Sequence, residues 1–122
     1  MTGESIPVFN HGDMKRDFSY IDDIIAGTRS AIDKNYKCEV FNLGNHRSEQ
    51  LMDVVHLIED ILGKKAKIEF LPMQPGDVAE SFADIEKSVE LLGHTPTTNV
   101  DEGIDRFIEW YEDYHCEDKH NI

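Results

Sequence analysis

Three short stretches of the chain predict strands, the first because it is continuously apolar and the other two because apolar and polar residues alternate in them. The first covers residues 6–9 and runs into an Asn-His-Gly turn at residues 10–12. The second covers residues 38–43 and the third residues 67–71, and a Gly or Pro follows each of them closely. Short apolar stretches bounded by Gly, Pro and Asn are typical of strands with one face in a core.

The first of four stretches with helical spacing covers residues 20–33. Its apolar side recurs every three to four positions, which predicts an amphipathic helix. We expect Ser19 to be its N-cap, and Asp22 and Asp23 to be stabilised by the helix dipole in the first turn.

Two further helices are predicted in the middle of the chain. The longer one follows Ser48, which we expect to cap it, and ends at Gly63 in the position that favours a left-handed residue. We expect its Glu59 to face outward. The shorter one opens at Asp84 and closes at Gly93.

The last predicted helix starts at residue 99 and continues through Tyr114. We expect Trp110 and Tyr114 to serve packing rather than ligand stacking. With this helix the order of elements favours an α/β fold, in which a small sheet of short strands is covered by about four helices. Residues 1–122 are expected to form a single domain with a frayed tail at 115–122.

Charge limits the possible partners. The chain has 12 basic and 25 acidic residues and a formal net charge of -13. This charge repels nucleic-acid phosphates and anionic membrane surfaces, so we expect neither as a partner. An anionic ligand would need a local cluster of donors.

Arg16 is the candidate for such a local donor. It follows a polar, Gly-containing turn and precedes the first predicted helix. Its planar guanidinium is suited to a pyrophosphate because it donates several hydrogen bonds and stays charged. On an acidic chain, however, an arbitrary arginine more often pairs with a carboxylate such as Asp13 or Asp17. The residues alone leave both interpretations open.

The cysteines and histidines give no site of their own. Cys38 and Cys116 lack the spacing of a disulfide framework or a zinc site, and no apolar leader precedes them, so we expect a cytoplasmic protein with reduced thiols. His115, Cys116 and His120 gather near the end of the chain, where a solvated terminus is the more common explanation. We therefore expect no metal site.

The sequence also lacks the motifs of nicotinamide chemistry. Nowhere are two glycines separated by one residue at a strand-to-helix turn, and no tyrosine is followed four positions later by a lysine. We therefore expect no catalytic and no cofactor-binding residues in this chain by itself.

A series of longer motifs carries the strongest functional signal. They are Ile6-Pro7-Val8-Phe9, Lys15-Arg16-Asp17-Phe18-Ser19-Tyr20-Ile21-Asp22-Asp23, Phe41-Asn42-Leu43-Gly44, Met73-Gln74-Pro75-Gly76-Asp77-Val78, Ala83-Asp84-Ile85-Glu86-Lys87 and Glu102-Gly103-Ile104. In this order they resemble the C-terminal third of extended short-chain dehydrogenase/reductase epimerases, in particular the bacterial UDP-glucuronate 4-epimerases. The resemblance covers almost the whole chain.

In that family the N-terminal Rossmann part holds NAD and the catalytic Tyr-x-x-x-Lys, whereas the smaller C-terminal part binds the nucleotide sugar. The resemblance implies that Phe9, with the main chain of Pro7 and Val8, lies against the uracil. It implies that Arg16 contacts the diphosphate and that Asp77 lies near the ribose. The expected cofactor is NAD in the full-length family, and none in this chain.

Gln74 stands where many relatives carry a second arginine for the diphosphate, although the glucuronate branch resembles this chain in having Gln there. We include Gln74 among the expected substrate-binding residues. The first hypothesis is thus the UDP-sugar-binding part of an NAD-dependent epimerase that is not catalytic alone and contacts a Rossmann domain. Alternatives are weak UDP binding by the isolated chain, or a module that self-associates or binds a protein without any ligand.

Overall fold

A computed structural model describes residues 2–117 of the chain. This part contains five short strands, four α-helices and one turn of 3-10 helix at Phe9–Gly12, which confirms the expected α/β fold with four helices. The strands are β1 (Ser5–Val8), β2 (Lys15–Arg16), β3 (Glu49–Gln50), β4 (Lys67–Phe70) and β5 (Glu80–Ser81). The helices are α1 (Ile21–Lys34), α2 (Leu51–Leu62), α3 (Glu86–Leu92) and α4 (Val100–Glu117).

The strands form two small sheets rather than one. In the first sheet β1 and β4 run parallel, with Val8 opposite Phe70. In the second sheet β2 is central, with β3 antiparallel on one side and β5 parallel on the other. The sequence does not reveal β2, β3 and β5 because two residues are too few to form an alternating pattern.

The strand predicted at residues 38–43 is wrong, because the structure assigns no strand there. Side chains from the start of α3 donate hydrogen bonds to backbone carbonyls of this segment instead. Ser88 Oγ donates to the carbonyl of Asn42, and Lys87 Nζ donates to the carbonyl of Val40 at 3.1 Å. A strand needs a neighbouring strand to complete its ladder, and none of the described strands runs beside this segment.

Two of the expected helix caps are also wrong. The N-caps of α1 and α2 are Tyr20 and Gln50, and neither helix has a side-chain cap bond, so Ser19 and Ser48 do not cap. For α2 the physical reason is the second sheet: β3 pairs with β2, and Leu51 N–H donates to the carbonyl of Met14 at 2.8 Å. This pairing fixes the backbone ahead of α2 and places its start beyond the reach of Ser48.

The C-terminal ends of α2 and α3 agree with the sequence. Gly63 and Gly93 end α2 and α3 with positive φ angles of 61° and 67°, the left-handed conformation that glycine adopts without a steric penalty. The start of α3 differs from the expectation, because its N-cap is Ile85 and not Asp84, and Ile85 forms no side-chain cap bond. The Asp84 carboxylate, one residue earlier, instead accepts a hydrogen bond of 3.0 Å from the N–H of Glu86. The turn after β1 also forms as expected.

The interior contains one carboxylate that we expected outside. Glu59 is buried, and its carboxylate accepts hydrogen bonds from Lys65 Nζ at 2.8 Å and from the N–H of Ala66 at 2.7 Å. These bonds, first the one from Lys65, hold the pKa of Glu59 below its usual value. The prediction that Glu59 faces outward is wrong, because the chain folds back after Gly63 and brings Lys65 and Ala66 to its carboxylate. The buried apolar residues are Val8, Met14, Val54, Ile85, Leu92 and Ile108.

The C-terminal end differs from the expected tail in part. Helix α4 continues to Glu117, so the first three residues of the predicted tail are helical. Residues 118–122 lie outside the described part of the chain. Within the described part, every helix is too short or too polar to cross a membrane.

Candidate functional site

Arg16 lies on β2, the central strand of the second sheet, and forms an ion pair with Asp77. Its Nη2 donates to Asp77 Oδ1 at 2.9 Å, and its Nη1 donates to the carbonyls of Lys15 at 2.7 Å and Ala79 at 3.3 Å. The side chains of Arg16 and Asp77 are 27% and 32% exposed. The carboxylate that pairs with Arg16 is therefore neither Asp13 nor Asp17, but one that is 61 residues away in the sequence.

The loop between β4 and β5 brings Asp77 to Arg16. The parallel pairing of β2 with β5 places the end of this loop beside β2, and Lys15 N–H donates to the carbonyl of Ala79 at 2.8 Å. Within the loop, the N–H of Asp77 donates to the carbonyl of Gln74 at 3.2 Å. Gly76 has a φ of 84° and permits this tight turn. Gln74 and Asp77 thus lie on one turn, and Gln74 is exposed.

The other three expected site residues lie at the end of β1, on the first sheet. Val8 is buried and Phe9 is half-buried, whereas Pro7 is exposed. The carbonyl of Val8 accepts a hydrogen bond of 2.9 Å from the N–H of Leu71, where the loop to β5 begins. Residues 71–79 therefore begin beside the end of β1 and end beside β2, so that Phe9 lies near one end of this loop and Arg16 near the other.

The guanidinium of Arg16 does not lie over the ring of Phe9. In the described part of the chain, cations lie over aromatic rings at two places, Lys87 over Phe41 and Arg106 over Tyr20. The structure thus brings Arg16 and Asp77 together directly, and Gln74 lies on the same turn as Asp77. Phe9 joins them only through the loop.

Asp17 supports the site in a way that the sequence did not indicate. Its carboxylate accepts hydrogen bonds from the backbone N–H groups of Asn45 at 3.0 Å, His46 at 3.0 Å and Ala83 at 3.1 Å. A Cβ on Gly44 would lie 2.6 Å from Ala83 Cβ, so only glycine fits there. The residue next to Arg16 thus ties β2 to two distant loops, and no local signal could reveal this because the donors are backbone groups.

The expectation about metal ligands concerns a region that the structure describes only in part. Among the described residues, no group of three or more His, Cys, Asp or Glu side chains could hold a metal ion. His115 belongs to α4. The side chain of Cys116 and all of His120 lie outside the described part.

A second surface feature lies between α1 and α4, which we call the α1/α4 face. It combines a cleft of about 340 Å³ with a ridge of aromatic side chains. In the ridge, Trp110 and Tyr114 stack with their ring centroids 5.5 Å apart. They are 55% and 58% exposed, so they pack against each other at the surface of the described chain, and the expectation that they do not stack on a ligand stays a prediction. The cleft is lined by Phe18, Tyr20, Ile21, Val100, Ile104 and Phe107.

Comparison with known proteins places this arrangement in a family. An uncharacterized protein of Methanocaldococcus jannaschii is 48% identical over 111 residues, which cover 91% of this chain and 34% of that protein. UDP-glucuronate 4-epimerase 4 of Arabidopsis thaliana is 37% identical, with 98% of this chain and 31% of the enzyme covered. No protein-family model matches the chain.

A solved structure agrees with the sequence relatives. UDP-glucuronic acid 4-epimerase from Bacillus cereus, in complex with UDP-glucuronic acid and NAD, matches with a TM-score of 0.74 and 34% identity. The match covers 84% of this chain and 33% of that enzyme.

The chain therefore belongs to the extended short-chain dehydrogenase/reductase family of nucleotide-sugar epimerases, of which it corresponds to the C-terminal region. Within that family it is similar to UDP-glucuronate 4-epimerases. It spans about a third of the length of the relatives that it matches, 34% and 31% of the two named above.

Proposed function

We propose that this chain is the UDP-sugar-binding part of an NAD-dependent nucleotide-sugar epimerase that resembles UDP-glucuronate 4-epimerase. Arg16 binds the diphosphate with Gln74 beside it, Asp77 binds the ribose, and the uracil lies against the end of β1. The residues assigned to the ligand are Pro7, Val8, Phe9, Arg16, Gln74 and Asp77. NAD belongs to the remainder of such an epimerase, so we expect no epimerisation by this chain alone. We also propose a cytoplasmic location.

The contact between Arg16 and Asp77 is the observation that carries this proposal. The resemblance implies ligand contacts for both residues, and an Arg16 nitrogen and an Asp77 oxygen lie 2.9 Å apart although 61 residues separate them in the sequence. Gln74 lies on the same turn as Asp77. The guanidinium is partly exposed and lies on a short strand whose neighbours fix its backbone, which suits a preformed anion site.

Titration calorimetry with UDP tests the proposal. We expect measurable heat of binding for the unchanged chain and at least about a tenfold loss of affinity for Arg16→Ala, because the charge-assisted hydrogen bonds to the phosphates are removed. Arg29→Ala is the matched control, since Arg29 pairs with Asp33 on the exposed side of α1. Heat that survives Arg16→Ala unchanged, or no heat from the unchanged chain, would contradict the proposal.

The exposed apolar surface favours a second candidate function, which is self-association without a ligand. On the α1/α4 face, Ile21 and Phe107 are more than half exposed, in addition to the ridge of Trp110 and Tyr114. The cleft and the ridge share Ile21 and Phe107 as neighbours. A second copy related by a two-fold axis could insert its ridge into this cleft, because an isologous interface needs one self-complementary surface.

A further inference from the structure

A cleft between α2 and the first sheet combines apolar and basic side chains, and we call it the lysine cleft. Its volume is about 320 Å³. Its apolar side chains come from β1 and α2 and are those of Ile6, Val55, Ile58 and Leu62. The other lining residues are Gly3, Glu4, Glu59 and residues 64–67. The six residues assigned to UDP are absent from this lining, so the lysine cleft is a separate site.

Three lysines give the lysine cleft its positive charge. Lys64, Lys65 and Lys67 are all exposed, whereas the three apolar residues from α2 are half-buried. No other four consecutive positions of the sequence contain three of its 12 basic residues. Glu4 and Glu59 are the carboxylates in the lining, so lysines outnumber carboxylates here although the whole chain has a net charge of -13.

The chain itself uses only one of these lysines in an ion pair within residues 2–117. Lys65 Nζ lies 2.8 Å from the carboxylate of the buried Glu59. Lys64 and Lys67 form no ion pair in this part of the chain. An ammonium group carries three donors and no acceptor. The ammonium groups of Lys64 and Lys67 are therefore available to an anion from outside the chain.

The two parts of the lysine cleft favour different parts of a ligand. Its half-buried apolar side chains favour an apolar body, because covering them removes apolar surface from water. Its exposed lysines favour an anionic group at the mouth, with their aliphatic stems along the apolar body. Pockets for small molecules have volumes of about 300–1,000 Å³, so a cleft of this size suits one short acyl chain.

We propose that the lysine cleft binds an amphiphilic carboxylate, with its hydrocarbon tail against Ile58 and Leu62 and its carboxylate between Lys64 and Lys67. A small inorganic anion uses only the lysines, and an amphiphilic cation is repelled by them. Only a molecule with both an apolar tail and an anionic head matches both parts of the cleft.

Titration calorimetry of the full chain with decanoate, at monomeric concentrations and neutral pH, tests this proposal. We expect decanoate to bind about tenfold more tightly than octanoate, because its longer tail buries two more methylene groups. Acetate, which has the head without the tail, should give no measurable binding. Decyltrimethylammonium, which has the same tail with the opposite charge, should bind at least about threefold more weakly than decanoate.

The double variant Lys64→Gln/Lys67→Gln tests where decanoate binds. We expect it to lose at least about threefold in affinity for decanoate, because both charges that attract the carboxylate are removed. The matched control is Lys34→Gln/Lys37→Gln, which makes the same change in net charge at two exposed lysines with the same spacing, outside the cleft. It should leave the affinity within about twofold of that of the unchanged chain. Thermal melts check that both variants keep the fold.

Three results would overturn this inference. They are no binding of decanoate, equal binding of decanoate and decyltrimethylammonium, and equal effects of the two double variants. The last result would place decanoate on another apolar surface, such as the α1/α4 face. UDP should not displace decanoate, and displacement would show that the two ligands share one site. The function proposed above does not depend on any of these outcomes, because its own test is the loss of UDP binding in Arg16→Ala.

Discussion

Asp22 and Asp23 are neighbours in the first turn of α1, but their carboxylates have different surroundings. The side chain of Asp22 is 71% exposed, whereas Asp23 is buried. The Asp23 carboxylate accepts hydrogen bonds from the N–H groups of Thr97 and Thr98 and from the Thr97 hydroxyl. Burial raises the pKa of Asp23, but the hydrogen bonds from Thr98 and Thr97 outweigh it, and the net pKa lies below the usual 3.8. Asp23 therefore ties α1 to the segment that leads into α4.

We expect Asp23→Asn to lower the free energy of unfolding by about 1–3 kcal/mol at neutral pH, because the amide offers one acceptor oxygen where the carboxylate offers two. Asp22→Asn is the control, since it makes the same charge change in the same turn, and it should cost less than about 0.5 kcal/mol. Urea unfolding measures both.

The pH dependence gives an independent check on Asp23. Because its pKa is lower in the folded state than in the unfolded chain, its contribution is fully present above the unfolded value and is lost as the pH falls through the folded value. The gap in unfolding free energy between the unchanged chain and Asp23→Asn should therefore narrow below about pH 4. An equal gap at neutral and acidic pH would contradict the role assigned to this carboxylate.

Helix α1 approaches its neighbours closely at Gly27. This glycine is buried, and a Cβ there would lie 2.7 Å from Leu43 Cδ2 and 2.9 Å from His94 Nδ1. The ring of His94 is buried and held by a 3.0 Å hydrogen bond between Nε2 and the carbonyl of Gly44, so it cannot move aside freely. The segment that was expected to be a strand thus contributes Leu43 to the packing of α1 without forming a ladder.

We expect Gly27→Ala to destabilise the fold by about 1–3 kcal/mol through overpacking. Helix propensity alone predicts the opposite, a gain of about 1 kcal/mol. Combining Gly27→Ala with Leu43→Ala removes the nearest clashing carbon, so the double variant should be less destabilised than the sum of the two single changes. Chemical unfolding of all three variants decides this, and a stabilised Gly27→Ala would show that α1 does not approach Leu43 so closely.

At the scale of the whole molecule, the acidic surface opposes the second candidate function, self-association through the α1/α4 face. The chain has a formal net charge of -13, and the exposed Asp22, Glu109 and Asp113 belong to the two helices that form this face. Two copies therefore repel each other at low ionic strength, and salt should screen this repulsion more than it affects the apolar contact.

We expect light scattering to give a larger fraction of dimer as the ionic strength rises from about 0.05 to 0.5 M. Trp110→Ala should weaken this association, because it removes the centre of the aromatic ridge. Phe82→Ala is the matched control, since Phe82 is an aromatic residue that is 56% exposed and lies against His46, away from this face. A monomer at every ionic strength, or equal effects of the two substitutions, would exclude self-association through this surface.

The sequence by itself determined the elements whose cause is local, together with the family. The four helices follow from apolar spacing, and the ends of α2 and α3 follow from Gly63 and Gly93. Strand β1 follows from a short apolar stretch and strand β4 from alternation. Motif resemblance also selected Arg16 and Asp77 as parts of one site. That all 122 residues form one domain stays a prediction.

The tertiary structure decided everything that depends on partners far away in the chain. Strands β2, β3 and β5 exist only because each finds a neighbour, whereas residues 38–43 alternate correctly and yet form no ladder among the described residues. The same holds for side chains. Asp23 is a buried acceptor for the N–H of Thr98, and Arg16 pairs with the carboxylate of Asp77, 61 residues away. A hydrogen bond needs both of its groups in place, and a sequence read along the chain supplies only one of them at a time.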